Sequence, residues 1–239
     1  MSRKPFAVFD IDGTLFRWQL FHELIFELVK LGALPLEIEH EIAQPLAKWQ
    51  IRTHEDSFRE YEKALITVFS RHLAGLSVEK FHTAIGRVME RSSDKVYRYT
   101  RGLLASLKKD GYMLFAVSGS FEEIVAPFSQ KYGFDAWVGS RCEQKHGVFT
   151  GTSRWAYDKK GALLQQLVAE HGLDWEGSIG VGDTGGDIPM LQLVKQPIAF
   201  NPNQELFKHA NDHGWRIVVE RKNMIYQLEK QGNSYRLAS

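Results

Sequence analysis

Two carboxylates, Asp10 and Asp12, close the apolar run "FAVF" in "FAVFDIDGTLFRW" (6–18), with one isoleucine between them. A second pair, Asp183 and Asp187, lies in "GDTGGD" (182–187), directly behind the short apolar run "SIGV" (178–181). Taken alone, D-x-D-G reads as a turn, because aspartate favours turns and Gly13 is permissive in its backbone angles. A second acidic pair at the end of a second predicted strand weakens that reading. If the strands are parallel, all the acids converge on one edge of the sheet. Like charges at that density repel and raise one another's pKa unless a cation neutralises them. A hard, oxygen-ligated metal is implied, and Mg²⁺, which takes one or two carboxylates with waters and a phosphate oxygen, fits best.

A third loop, "SGSFEEIV" (118–125), offers what a phosphate needs: the Ser118 hydroxyl, backbone amides around Gly119 and the start of a helix. Ser120 with Glu123 matches the S-x-x-E capping box, so Ser120 is read as structure and Ser118 as site. In "DIPML" (187–191), Pro189 suits a first helical turn and Asp187 precedes it as a cap that can also serve the acidic cluster. "YDKKGALLQQL" (157–167) sets Lys159 and Lys160 at the start of an amphipathic helix. Exposed lysine pairs are usually only solvated, but a lysine inside an acidic cluster pairs with the carboxylates and neutralises a bound phosphate.

These loops need a frame that brings them together. "FAVF", "YMLFAV" (112–117) and "SIGV" are continuous apolar runs, as expected of strands buried on both faces, and helical stretches at about 98–110 and 159–171 precede the second and the acidic-loop region. Strand, polar loop and helix in repetition predict an α/β fold with a doubly wound parallel sheet, where ligands gather at the carboxyl ends of the strands. Residues 16–92 differ: they contain no clear strand and read as helices broken at "GALP" and "AGLS". Leu20, Phe21, Leu24, Ile25, Leu28 and Val29 keep helical spacing, as do Phe58, Tyr61, Leu65, Val68 and Phe69, which predicts a unit with a core of its own. The expected division is therefore 1–15 with 93–239 as catalytic core and 16–92 as an inserted helical domain. The polar tail "KQGNSYRLAS" (230–239) is expected to fray.

Composition narrows the function. With 30 basic and 29 acidic residues, the chain has no overall field to hold nucleic acid or an anionic membrane surface. The single cysteine, Cys142, excludes an internal disulfide framework. No window approaches the roughly 18 apolar residues of a membrane span, and no signal-peptide pattern develops at the N-terminus, so a soluble, cytoplasmic protein is expected.

In order and character, "DIDGT", "SGS", a lysine of "DKK" and "GDTGGD" resemble the four motifs of the haloacid dehalogenase superfamily, in its phosphoserine phosphatase-like branch. The resemblance covers most of 5–15 and 96–215, and its spacing back from Asp183 favours Lys160 over Lys159. It implies a Rossmann-like core with a helical cap inserted after the first motif. It also implies a Mg²⁺-dependent hydrolase of small phosphomonoesters in which Asp10 is the nucleophile and Asp12 the general acid and base. Ser118, Gly119 and Lys160 would bind the phosphate, with Thr14 a weaker candidate. Asp10, the backbone carbonyl of Asp12 and Asp183 would hold the metal, with Asp187 in support. Phosphoryl transfer to another alcohol and a silent phospho-ligand module are the rival readings. Gln19, beside Trp18, stands where the phosphoserine enzymes carry a glutamate for the substrate's ammonium, and "SGSF" replaces Ser-Gly-Gly-Phe; both differences argue against phosphoserine. Arg52 and Arg59 read as solvated helix-face residues.

Overall fold

The computed structural model describes residues 4–232 and 234–237. The first half of the chain runs β1 (Phe6–Phe9), α1 (Leu20–Lys30), α2 (Glu37–Gln50), α3 (Ser57–His72), α4 (Val78–Ser92), α5 (Arg98–Lys109), β2 (Met113–Phe121), α6 (Glu122–Tyr132), β3 (Ala136–Lys145) and β4 (Val148–Arg154). The second half runs α7 (Lys160–Glu170), β5 (Ile179–Gly182), α8 (Ile188–Leu191), β6 (Gln196–Phe200), α9 (Gln204–His213), β7 (Arg216–Arg221), β8 (Met224–Gln231) and β9 (Ser234–Leu237). Chain contacts divide it into two compact units: residues up to 19 with 93–140 and 155 onward, and residues 20–92 with 141–154.

The first unit is built on a parallel sheet. All four residues of β1 are buried, which is why its sequence is apolar without alternation. β2 pairs with β1 in the register Phe6↔Met113 to Phe9↔Ala116, and β5 pairs on its other side from Ala7↔Ile179 to Phe9↔Val181, both parallel. Beyond them β3 lies parallel to β2, β6 parallel to β5 and β7 parallel to β6, giving the order β3-β2-β1-β5-β6-β7. The chain order reverses between β1 and β5. A crevice opens at such a point beyond the carboxyl ends of the strands, and Asp10 and Asp183 are the residues that follow β1 and β5 there.

The tail corrects an expectation. Instead of fraying, β8 and β9 extend the sheet as antiparallel strands from β7. Gly232, at φ +61°, lies in the link between them, and the Tyr235 hydroxyl lies 3.0 Å from the Ala210 carbonyl and 2.9 Å from that of Trp215. Residues 233, 238 and 239 of that tail fall outside the described set, as do residues 1–3.

The second unit contains α1 to α4, whose spacing was legible: Leu20, Phe21, Leu24, Ile25, Leu28 and Val29 are all buried, as are Tyr61, Leu65, Val68 and Phe69, while Phe58 is half-buried. Its boundaries differ from those expected. Residues 16–19 group with the first unit, where Phe16 bridges Val96 and the Arg17 amide donates to the Lys95 carbonyl at 2.8 Å. Residues 141–154, assigned from sequence to the core, group with the helices. The outer half of β3 pairs with β4 into a hairpin that bonds residues 75–78, with Gly75 donating to Phe149 at 2.9 Å and Phe149 to Leu76 at 3.0 Å, while the Phe149 ring packs edge-on to Phe81. Among the described residues, no helix is long and apolar enough to cross a membrane.

Candidate active site

Asp10 extends the β1–β5 ladder by one bond, its amide donating to the Val181 carbonyl at 2.9 Å. The chain then turns through Gly13 at φ +81°, where a Cβ would stand 2.1 Å from Asp183 Oδ2. Only glycine satisfies both the positive φ and that approach, so the permissive residue read from "DIDG" is what lets the two acidic loops meet. Thr14 joins them, its hydroxyl 3.0 Å from Asp10 Oδ2 and 3.2 Å from Asp183 Oδ1. Thr100 Oγ1 in turn donates to the Thr14 carbonyl at 2.9 Å and pins the loop from α5.

Lys160, the first residue of α7, is buried and donates to Asp10 Oδ1 at 2.7 Å and Asp187 Oδ1 at 2.6 Å; Lys159 is exposed. Of the two lysines, Lys160 is the one that bonds the acids. Asp187 ends a single 3₁₀ turn, Gly185–Asp187, and its Oδ2 accepts the amides of Asp183 at 3.0 Å and Thr184 at 2.9 Å. Its position before Pro189 is that of a cap for α8, but it makes no side-chain cap bond there. The carboxylate turns back to fix the acidic loop, because Thr184 and Asp187 form a capping box around that 3₁₀ turn.

Asp12 points elsewhere and accepts from Ser118 Oγ at 2.7 Å. Ser118 Oγ also accepts the Ser120 amide at 2.9 Å, so the serine loop folds around it. Ser120 was expected to cap α6 with Glu123, but β2 continues through Ser120, and the N-cap of α6 falls on Phe121, which makes no side-chain cap bond. Trp18 and Gln19 are half-buried, and the Trp18 carbonyl accepts the Gly13 amide at 3.0 Å. Arg52 and Arg59 are exposed in the second unit. Three supports escaped sequence reasoning: Thr184, Thr100 and Ser140, whose hydroxyl donates to the Gly119 carbonyl at 2.7 Å. Thr184 alone had a local signal, the T-x-x-D spacing within "GDTGGD".

The electrostatics are those of a site short of positive charge. Burial pushes the Asp10 carboxyl up to about 7, against the pull of Lys160 and with added repulsion from Asp187 and Asp12. Burial likewise raises Asp183 well above the carboxylate range, and Asp10 and Asp187 add to it. Burial alone would lower Lys160, but Asp10 and Asp187 outweigh it and hold the ammonium protonated. Among the described residues Lys160 is the one buried lysine or arginine. Oxygens of Asp10, Asp183 and Asp187 lie within 4.8 Å of one another, an all-carboxylate set that suits a hard dication. Asp187 Oδ2 is committed to the acidic loop's amides, while Asp187 Oδ1 shares Lys160 with Asp10. The Asp12 side chain lies outside that cluster.

The family model of the haloacid dehalogenase-like hydrolases matches residues 7–192. Among curated relatives, a histidinol-phosphatase of Neisseria meningitidis serogroup C (strain 8013) is 26% identical over 231 residues, covering 90% of this chain and 98% of the relative. A phosphoserine phosphatase of Methanocaldococcus jannaschii is 26% identical over 226 residues, covering 93% and 95%. A solved structure described as a phospho-aspartyl intermediate analogue of phosphoserine phosphatase aligns over 92% of this chain and 95% of its own, with a TM-score of 0.62 and 24% identity, a likeness of fold.

Proposed function

From the premise that the chain belongs to the haloacid dehalogenase-like hydrolases, we propose that it is a Mg²⁺-dependent phosphomonoesterase that turns over a small organic phosphate through an aspartyl-phosphate on Asp10. The observation that carries this reading is the chain of hydrogen bonds that runs from Lys160 to Asp10, from Asp10 to Thr14 and from Thr14 to Asp183 at the end of β1. Lys160 on Oδ1 and Thr14 on Oδ2 orient the Asp10 carboxylate, so one of its oxygens is held ready to attack phosphorus.

In the first step the bond from Asp10 oxygen to phosphorus forms as the ester bond breaks, and Asp12 gives its proton to the departing alkoxide. In the second, Asp12 takes a proton from the attacking water, the Asp10–phosphorus bond breaks and inorganic phosphate leaves. Ser118 keeps Asp12 in place before substrate arrives, and the Ser118 hydroxyl, the Gly119 amide and the Lys160 ammonium bind the phosphoryl oxygens as charge develops on them. Asp10, the Asp12 carbonyl and Asp183 would hold Mg²⁺, which when bound supplies the positive charge that lets one anion approach another. The relatives' names, histidinol-phosphatase and phosphoserine phosphatase, support a small alcohol phosphate as substrate. Gln19, a neutral amide, supports one other than phosphoserine. The single cysteine supports a reducing, cytoplasmic setting.

The test is phosphate release from p-nitrophenyl phosphate. Wild type should turn it over with Mg²⁺ and stop when the metal is chelated, while Asp10→Asn, with an unchanged circular dichroism spectrum, should fall by about a thousandfold or more. Near wild-type turnover by Asp10→Asn would exclude the covalent route, and wild-type inactivity with every divalent metal tried would exclude the hydrolase.

A further inference from the structure

The short turn between β4 and α7, "WAYDK" (155–159), delivers Lys160 to Asp10, yet carries a large aromatic residue that this task does not need. Tyr157 is 48% exposed, while its neighbour Ala156 and Lys160 are buried. Its backbone is fixed at the site. The Ala156 amide donates to Ser140 Oγ at 3.0 Å, and that hydroxyl donates to the Gly119 carbonyl at 2.7 Å, so one serine straps the turn to the serine loop. A Cβ on Gly119 would stand 3.2 Å from Tyr157 Cβ, and one on Gly186 would stand 3.8 Å from the Tyr157 carbonyl. Tyr157 thus lies beside both the phosphate-binding loop and the acidic loop.

Its ring is not isolated. Trp155, half-buried, stands with its ring 6.0 Å from that of Tyr157 and 5.5 Å from that of buried Phe121. Three aromatic rings therefore run from buried Phe121 at the end of β2 out to exposed Tyr157. In an in-line displacement the leaving group departs on the side of phosphorus opposite the nucleophile, away from Asp10. A planar ring there offers a face for stacking or edge contact.

We infer that Tyr157, backed by Trp155, is a specificity-determining residue that receives the leaving group and favours phosphate esters of planar, π-bearing alcohols over short aliphatic ones. The inference rests on the phosphomonoesterase reading above, which makes Gly119 a phosphate ligand. It is tested without turnover, by calorimetric titration of phenylphosphonate and methylphosphonate into wild type, Tyr157→Ala and Tyr157→Phe in the presence of Mg²⁺. Wild type should bind phenylphosphonate about five- to tenfold more tightly than methylphosphonate, Tyr157→Phe should keep that ratio, and Tyr157→Ala should bring it close to one. Equal affinity of wild type for the two probes, no binding of phenylphosphonate, or an unchanged ratio in Tyr157→Ala overturns the inference. Failure of the hydrolase reading would show separately, as absent phosphate release by a wild type that still discriminates between the phosphonates.

Discussion

The two units treat buried ionisable groups in opposite ways. In the helical unit, Glu27 is held below the usual carboxylate range, chiefly by its hydrogen bond to Arg91, and Arg91 also pairs with Glu23 at 3.0 Å. His22, fully buried among Phe58 and Tyr61, is driven by burial down to about 3 and so stays neutral. Glu27 is thus matched by an opposite charge and His22 is kept uncharged. The parallel-sheet unit instead crowds Asp10, Asp183 and Asp187 around a single ammonium, and burial raises two of those carboxyls rather than lowering them. Such an arrangement opposes folding and is expected where the missing charge arrives with a ligand. The contrast separates ionisable groups that serve stability from those that serve chemistry.

The contrast can be broken most severely at Lys160. Lys160→Met removes the one cation from the acidic cluster and should cost about 3–5 kcal/mol, read from chemical denaturation, because it leaves buried carboxylates without a partner. Millimolar Mg²⁺ should recover part of that loss. A cost below about 1 kcal/mol would mean that the cluster tolerates its charge unaided.

A smaller effect sharpens the other side. Because the folded pKa of His22 lies below its unfolded value, its contribution is complete above about pH 6.5 and declines as pH falls toward 3, where the folded form also takes the proton. The slope is about 1.4 kcal/mol per pH unit within that window. Wild type should therefore lose about 2.5 kcal/mol of unfolding free energy relative to His22→Leu between pH 7 and pH 4.5. A difference that does not change with pH would contradict a buried neutral imidazole.

What was legible in the sequence follows from the same physics. β1 and β5 are buried on both faces, so they stand out as short apolar runs, and the acids that end them mark the point where the chain order reverses. The stripe of α1 was equally plain, since one face of an isolated helical unit must be apolar. β8 and β9 were not legible, because residues on both faces of these strands are exposed and neither alternation nor continuous apolarity survives. The hairpin of 141–154 was lost for a similar reason, with Arg141, Glu143 and Lys145 exposed along it. Ser120 is structural, as its S-x-x-E signal suggested, but it lies in β2, and with Phe121 paired in parallel to Ser140 the N-cap of α6 falls one residue later. At the site, Asp10 and Asp183 stood out behind apolar runs and the family resemblance favoured Lys160 over Lys159, whereas Thr100 and Ser140 act through contacts with residues distant in sequence.

The central claim is that the acidic cluster waits for a divalent cation. Titrating Mg²⁺ into wild type and Asp183→Asn at pH 7, in two buffers of different ionisation enthalpy, reads both binding and the protons it displaces. Wild type should bind the ion and release protons as Asp10 ionises, and Asp183→Asn should bind far more weakly. Binding without proton release, or equal binding by Asp183→Asn, would contradict the account.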